Sequence, residues 1–389
     1  MKSEMTGMSL GLRAAALASV AVLAAAPVSA GAVELARKPF GRTPDGAAVE
    51  AITLTARNGV SATVITYGAT LQALVVPDRA GKPADVVLGF SDAEGYAKAA
   101  SYFGATIGRY ANRIGGGRFS LDGKSYQLAR NDHDLAALHG GKKGWDKVVW
   151  QVTDASAGPV ASVRMSYVSP DGEEGYPGKV TATATYALSE AGELTITYGA
   201  TTDRPTIISM TNHALFNMAG EGAPGGALGN VLTIEGDRYT PVDAALIPTG
   251  ELTPVAGTPF DFRRPRVVAE RIREASDPQI VLGRGYDHNY VLNGGKTAKP
   301  RLIARLADPA SGRTLEVLSD QPGVQFYAGN FLDGTLVGKS GRAYRQGDGI
   351  ALEPQIFPDT PNKPAFGSAR LAPGQTYTNT MVFRVSAGR

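Results

Sequence analysis

Only four histidines occur in the 389 residues, and three of them sit in polar clusters suited to proton transfer. His139 precedes Gly140-Gly141, His213 lies in Met210-Thr211-Asn212-His213-Ala214-Leu215-Phe216-Asn217, and His288 lies in Gly285-Tyr286-Asp287-His288-Asn289-Tyr290. A fourth cluster, Leu352-Glu353-Pro354-Gln355-Ile356-Phe357-Pro358-Asp359, sets a carboxylate in an apolar, strand-like run. Histidine is the side chain most easily poised to exchange a proton near neutral pH, and a desolvated glutamate is its natural counterpart. The combination points to acid/base chemistry with no metal or cofactor. Metal-ligating spacings such as His at i, i+4 on a helix, or His-x-Glu, are missing. So are a phosphate loop, a dinucleotide-binding strand–glycine–helix unit and Gly-x-Ser-x-Gly.

Strand alternation assigns these residues to faces. If Ala351–Gln355 is a strand, Glu353 shares a side with Ala351 and Gln355, while Leu352 and Pro354 point away. In Tyr286–Tyr290, Asp287 and Asn289 share one face and His288 takes the other. Asp287 is therefore assigned to a pocket and His288 to a structural role. A lone histidine among apolar neighbours, such as His213, is as a rule a core residue, and the Asn112-Arg113 pair offers either hydroxyl-binding donors or a buried structural arginine. The Gly140-Gly141 pair after His139 would let a ligand approach the backbone.

The elements that must position these groups read as β-strands. Period-two runs include residues 51–55, 61–66, 180–186, 193–198, 314–318 and 377–385. Turn signals such as Pro77-Asp78-Arg79-Ala80-Gly81, Leu121-Asp122-Gly123-Lys124 and Pro170-Asp171-Gly172 separate the strands. Short helices are predicted over Asp92 to Ala99 and Val267 to Ala275. With 48 glycines and 24 prolines, no linker and no internal repeat, the chain reads as all-β: one large antiparallel β-sandwich over about residues 34–387.

Residues 1–30 form a separate category. Lys2 and Arg13 precede the apolar run from Ala14 to Ala26, and Ala26-Pro27-Val28-Ser29-Ala30 supplies small residues at a cleavage site. This is the layout of a secretory signal peptide, which predicts an exported, periplasmic or secreted protein with residues 31–389 as its single domain. Removing Lys2, Arg13 and Glu4 lowers the net charge from +3 to +2. No later stretch is long and apolar enough to suggest a membrane partner after cleavage. The basic residues are scattered, unlike the concentrated face of a nucleic-acid binder. With no cysteine, disulfides and thiolate chemistry are excluded.

Seven motifs occur in order: Gly108-Arg109-Tyr110-Ala111-Asn112-Arg113-Ile114; Leu138-His139-Gly140-Gly141 with Gly144-Trp145-Asp146; Asp171-Gly172-Glu173-Glu174-Gly175-Tyr176-Pro177-Gly178; Thr211-Asn212-His213 with Phe216-Asn217; Tyr286-Asp287-His288-Asn289-Tyr290; Val324-Gln325-Phe326-Tyr327; and Leu352-Glu353 with Pro358-Asp359. The set closely resembles the aldose 1-epimerase (galactose mutarotase) family, from about Gly41 to Val385. The resemblance implies a galactose mutarotase-like supersandwich with the sugar in an open cleft. By position it implies Glu353 as general base, His213 as general acid, and Asn112, Arg113, His139, Asp287 and Gln325 as ligands of sugar hydroxyls. A free aldose is then the expected partner; opening its hemiacetal ring requires an ionised Glu353 and a protonated His213 and no cofactor, and a monomer is the default for so large a sandwich.

Departures from the family pattern are Trp145 in place of a common phenylalanine, and Ala214-Leu215 after the histidine, which bears on substrate preference. Two other readings compete. A glycosidase would use Glu353 and Asp287 as a carboxylate pair about 5 Å or roughly 6.5–9.5 Å apart. A non-catalytic carbohydrate-binding sandwich would have no use for a Glu353–His213 pair.

Overall fold

The computed structural model describes residues 32–99 and 101–388. The proposed leader peptide lies outside the described residues. The period-two runs form strands: Ala48–Thr55, Ser61–Ile65, Val180–Ser189, Glu193–Thr202, Arg313–Ser319 and Tyr377–Ala387. In Val180–Ser189 the alternate residues Val180, Ala182, Ala184, Tyr186 and Leu188 are buried, as the alternation requires. The next strand faces the same way with Leu194, Ile196, Tyr198 and Ala200.

Three antiparallel sheets dominate. Nine strands run in the order Gln151–Ser156, Val160–Ser169, Val180–Ser189, Glu193–Thr202, Tyr377–Ala387, Arg313–Ser319, Arg301–Ala307, Val231–Ile234 and Arg266–Val267. A five-stranded meander spans Glu34 to Asp85. Six strands run in the order Leu215–Phe216, Ile350–Gln355, Gly323–Tyr327, Asp287–Val291, Arg238–Tyr239 and Thr253–Pro254. Val64 and Leu71 of the meander, Ile196 and Phe383 of the large sheet, and Phe326 and Leu352 of the six-stranded sheet share one apolar cluster. That shared core makes the chain a sandwich. Each fully buried aliphatic side chain stabilises it by roughly 1.5–3 kcal/mol.

The helical expectations fare unequally. Ala93–Lys98 is a helix, capped by Asp92, whose Oδ1 accepts from the Gly95 amide at 2.7 Å. The Val267–Ala275 helix is not formed: Val267 pairs with Val231 at the edge of the large sheet, and only Val268–Glu270 makes a short 3₁₀ turn. Pairing and burial of Val268 and Ile272 win over a marginal helix. A helix over Pro278–Gly283 went unread, although Asp277-Pro278 is a cap followed by proline in the first turn.

Candidate active site

The six-stranded sheet positions the chemistry because its two faces differ. Strands Asp287–Val291, Gly323–Tyr327 and Ile350–Gln355 pair in continuous register, with Asn289 opposite Gln325 and Gln325 opposite Glu353. One face carries Tyr290, Val324, Phe326 and Leu352 into the core, and the other turns Asp287, Gln325 and Glu353 away from it. Proline is tolerated mid-strand at 354 because the neighbouring strand Leu215–Phe216 pairs only with Ile350 and Ala351.

Above this face lies a cleft of about 650 Å³, lined among others by Asn112, Arg113, His139, His213, Asp287 and Glu353. Gln325 is not in its lining; it is buried just beneath and donates from Nε2 to Asp287 Oδ1 at 2.7 Å. Six of the seven residues singled out in the sequence thus meet in one cavity, and the seventh supports one of them. A smaller groove of about 480 Å³ shares Leu135 and Ala245 with the cleft and contains none of the histidines.

His213 follows the short strand Thr211–Asn212. The neighbouring Asn212 is pinned through its side chain to Gly104 O (2.9 Å) and Tyr186 Oη (3.1 Å). His213 Nε2 lies 3.8 Å from Glu353 Oε1. The Tyr102 ring, which sequence reading missed, packs on both histidines, with centroids 4.6 Å from His139 and 5.7 Å from His213. Its signal was weak: one aromatic residue in Ser101-Tyr102-Phe103-Gly104, with a left-handed backbone at φ +56°. Asn112 and His139 are tied reciprocally: the Asn112 amide donates to His139 Nδ1 (3.2 Å) and the His139 amide to Asn112 O (3.1 Å).

The glycines after His139 serve packing and not ligand approach. A Cβ on Gly140 would overlap the Gly108 carbonyl oxygen, and one on Gly141 the Glu174 carboxylate. Both glycines also adopt positive φ, at +91° and +115°.

Arg113 is buried between two carboxylates. Its Nε donates to Asp132 Oδ2 at 2.7 Å, and Nη1 lies 3.7 Å from Asp287 Oδ2. Asp132, in the polar run Asn131-Asp132-His133-Asp134, was the second residue missed. Burial pushes its carboxyl up, but the Arg113 guanidinium and the His133 ring outweigh this and hold it below the usual range. His288 sits on the opposite face, packed against Phe260 at 4.6 Å and bonded through Nε2 to Gln279 Oε1 at 3.1 Å.

Burial works against the expected ion pair. Burial pushes the Glu353 carboxyl well up, reinforced by the nearby Asp287 and opposed by Arg113. Burial lowers His213 to about 4, against a smaller effect of its own backbone. Without sugar, desolvation therefore favours neutral imidazole beside neutral carboxyl. The neutral pair and the ion pair differ only in which group carries the one proton, and at 3.8 Å the two side chains are near neighbours without a direct hydrogen bond. No group of three His, Cys, Asp or Glu able to hold a metal occurs among the described residues.

The fold is an antiparallel supersandwich, and one cleft brings His213 and Glu353 together with Asn112, Arg113, His139 and Asp287. The model of the aldose 1-epimerase family matches residues 50–384, and the chain belongs to that family. It is 46% identical to the galactose mutarotase of Rattus norvegicus over 91% of this chain and 99% of that protein. It is 35% identical to the aldose 1-epimerase of Escherichia coli K12 over 88% and 97%. The crystal structure of galactose 1-epimerase from Lactobacillus acidophilus superposes with a TM-score of 0.80 at 30% identity, covering 92% of this chain and all of that one.

Proposed function

We propose that this chain interconverts the α and β anomers of free aldohexoses, galactose and glucose foremost, by opening and reclosing the pyranose ring. The carrying observation is the His213–Glu353 pair, 3.8 Å apart within one cleft that also holds Asn112, Arg113, His139 and Asp287. Glu353 removes the proton from the anomeric hydroxyl, and His213 protonates the ring oxygen as the C1–O5 bond breaks. Rotation about C1–C2 presents the other face of the aldehyde; O5 then attacks C1, His213 recovers its proton and Glu353 returns its own. Each well-placed acid or base contributes on the order of 10²- to 10⁴-fold.

The reaction starts from the ion pair, with the proton on His213 and Glu353 ionised. Arg113 favours the carboxylate, and sugar hydroxyls donating to it act in the same direction. Arg113 and Asp287 present charge-assisted partners to hydroxyls, while Asn112 and His139 add neutral ones. Support for a catalyst over a binding module comes from the same pair, since holding a sugar needs no acid beside a base.

The leader-like residues 1–30 support export to the periplasm or medium, where the domain works as a monomer with no membrane attachment after cleavage. Polarimetry on fresh α-galactose, α-glucose, xylose and arabinose tests the activity and ranks the sugars. Decay of rotation at the uncatalysed rate with all four would sink the proposal.

A further inference from the structure

The face of the six-stranded sheet that bears Glu353 continues beneath the cleft. By the same unbroken register, Asn289 pairs with Gln325, Gln325 with Glu353, and Gly323 with Gln355. Asp287, Asn289, Gln325, Glu353 and Gln355 therefore share one face. Asn289 and Gln355 do not line the cleft, and their relative exposures are 1% and 0%. Both polar atoms of each carboxamide lack a hydrogen-bond partner among the described residues, as do Glu353 Oε2 and Gln325 Oε1. Gly323 makes room beside Asn289: a Cβ there would lie 2.5 Å from Asn289 Oδ1 and 2.8 Å from the Phe357 ring.

Buried polar atoms are almost always paired with protein or with ordered water, and a buried water needs two to four polar partners. A sheet face built for stability alone would carry apolar side chains at these positions, as the opposite face does. Five such carboxamide atoms on the sheet face that carries Glu353, together with its own unpartnered Oε2, call for partners beneath the cleft.

We propose that Asn289 and Gln355 are positioning residues that, with buried water, form a carboxamide floor holding the Glu353 carboxyl group in place against the anomeric hydroxyl. The proposal rests on Glu353 being the proton acceptor. Carboxamides suit the task because each offers two N–H donors without charge. The groups facing Glu353 from the surrounding elements are His213, His139, Arg113, Asp287 and Tyr327. A further carboxylate below would add to the repulsion from Asp287, and a cation would compete with Arg113 for it.

The test uses the full chain carrying Asn289→Leu and Gln355→Met, near-isosteric changes that delete the donors. Expected are a fall in kcat of about tenfold, a KM for galactose within about twofold of wild type, and an acid limb of the kcat profile displaced to higher pH. The melting temperature stays within a few degrees of wild type, since the lost hydrogen bonds are offset by added apolar burial. Asn289→Ser, which keeps a hydroxyl and leaves space for water, recovers most of the rate and serves in place of a Leu variant that does not fold. Wild-type kcat with an unmoved pH profile overturns the proposal; so does a loss of rate that only follows a loss of melting temperature. Glu353→Gln separates the two readings: full turnover in that variant removes the base assignment. Ordered water bridging Asn289, Gln355 and Glu353 Oε2 in a high-resolution crystal structure supports the floor independently, and direct bonds excluding water refute it.

Discussion

His213 Nε2 stands 3.8 Å from Glu353 Oε1, with the two side chains only 8% and 2% exposed. At this separation the imidazole and carboxyl are close but not hydrogen-bonded, and Asp287 and Arg113 act in opposite directions on the carboxyl's charge. Burial alone favours the neutral arrangement, so in the proposed reaction the groups that favour the charged one matter as much as the pair does.

Glu353→Gln and His213→Asn should each lower turnover by roughly 10²-fold or more, with both proteins folded. Polarimetric rates on α-galactose provide the check. Near-normal equilibration in either variant removes that residue from its assigned role.

Arg113→Lys should raise KM about tenfold, equivalent to ~1.4 kcal/mol, with a smaller effect on kcat. The guanidinium reaches Asp132 and Asp287 through separate nitrogens, and a single ammonium cannot reproduce that fork. An unchanged KM across galactose and glucose would contradict this.

Asp359 acts from the loop beyond the Glu353 strand. Its Oδ1 accepts from the Gly115 amide at 3.0 Å and from Asn362 Nδ2 at 2.7 Å, while its own amide donates to Arg113 O at 2.9 Å. Asp359→Ala should cost about 1–3 kcal/mol in denaturant unfolding and raise KM as the Asn112-Arg113 segment loosens. Asp359→Asn keeps the acceptor and tolerates the φ of +57°, so it should behave close to wild type.

Gly140→Ala should be the most damaging of the single-methyl changes. The new Cβ would collide with the Gly108 carbonyl at φ +91°, so a loss above about 2 kcal/mol is expected. Gly123→Ala, at φ +79° with nothing within 4 Å, should cost about 1 kcal/mol. Equal melting temperatures for the two would refute the steric account.

Acid stability should respond to His288, which burial lowers to about 3. The unfolded chain takes up this proton near the ordinary histidine value of about 6.5, before the folded one does. Stability is therefore full above that value and is lost as pH falls toward 3, at up to about 1.4 kcal/mol per pH unit. The raised carboxyls of Glu353 and Asp287 work in the opposite sense: their contribution is full below the ordinary carboxylate range and fades as pH rises through their folded values. Comparing wild type with His288→Gln isolates the histidine. The stability difference between them should move in favour of the variant from pH 7 to pH 5, and parallel curves would show that His288 does not titrate on unfolding.

Much of this organisation was legible in the chain. Alternation in 180–189 and 193–202 announced its strands because one face of each is buried. The parity of Asp287, His288 and Asn289 correctly separated the cleft face from the core face. The helix expected after Val267 failed because a local periodicity cannot anticipate pairing with Val231. Asp132 and Tyr102 were missed because each matters only through partners distant in sequence, Arg113 for the first and the two histidines for the second.

By itself the sequence determined which side chains could move a proton, the strand-rich class of the domain and the order of its motifs, since residue type and spacing are local properties. Only the tertiary structure decided that His213 and Glu353 meet, that Gln325 sits beneath the cleft behind Asp287, and that burial disfavours charge on both members of the pair. Those outcomes depend on long-range strand register and on desolvation, which exist only once distant segments have packed together.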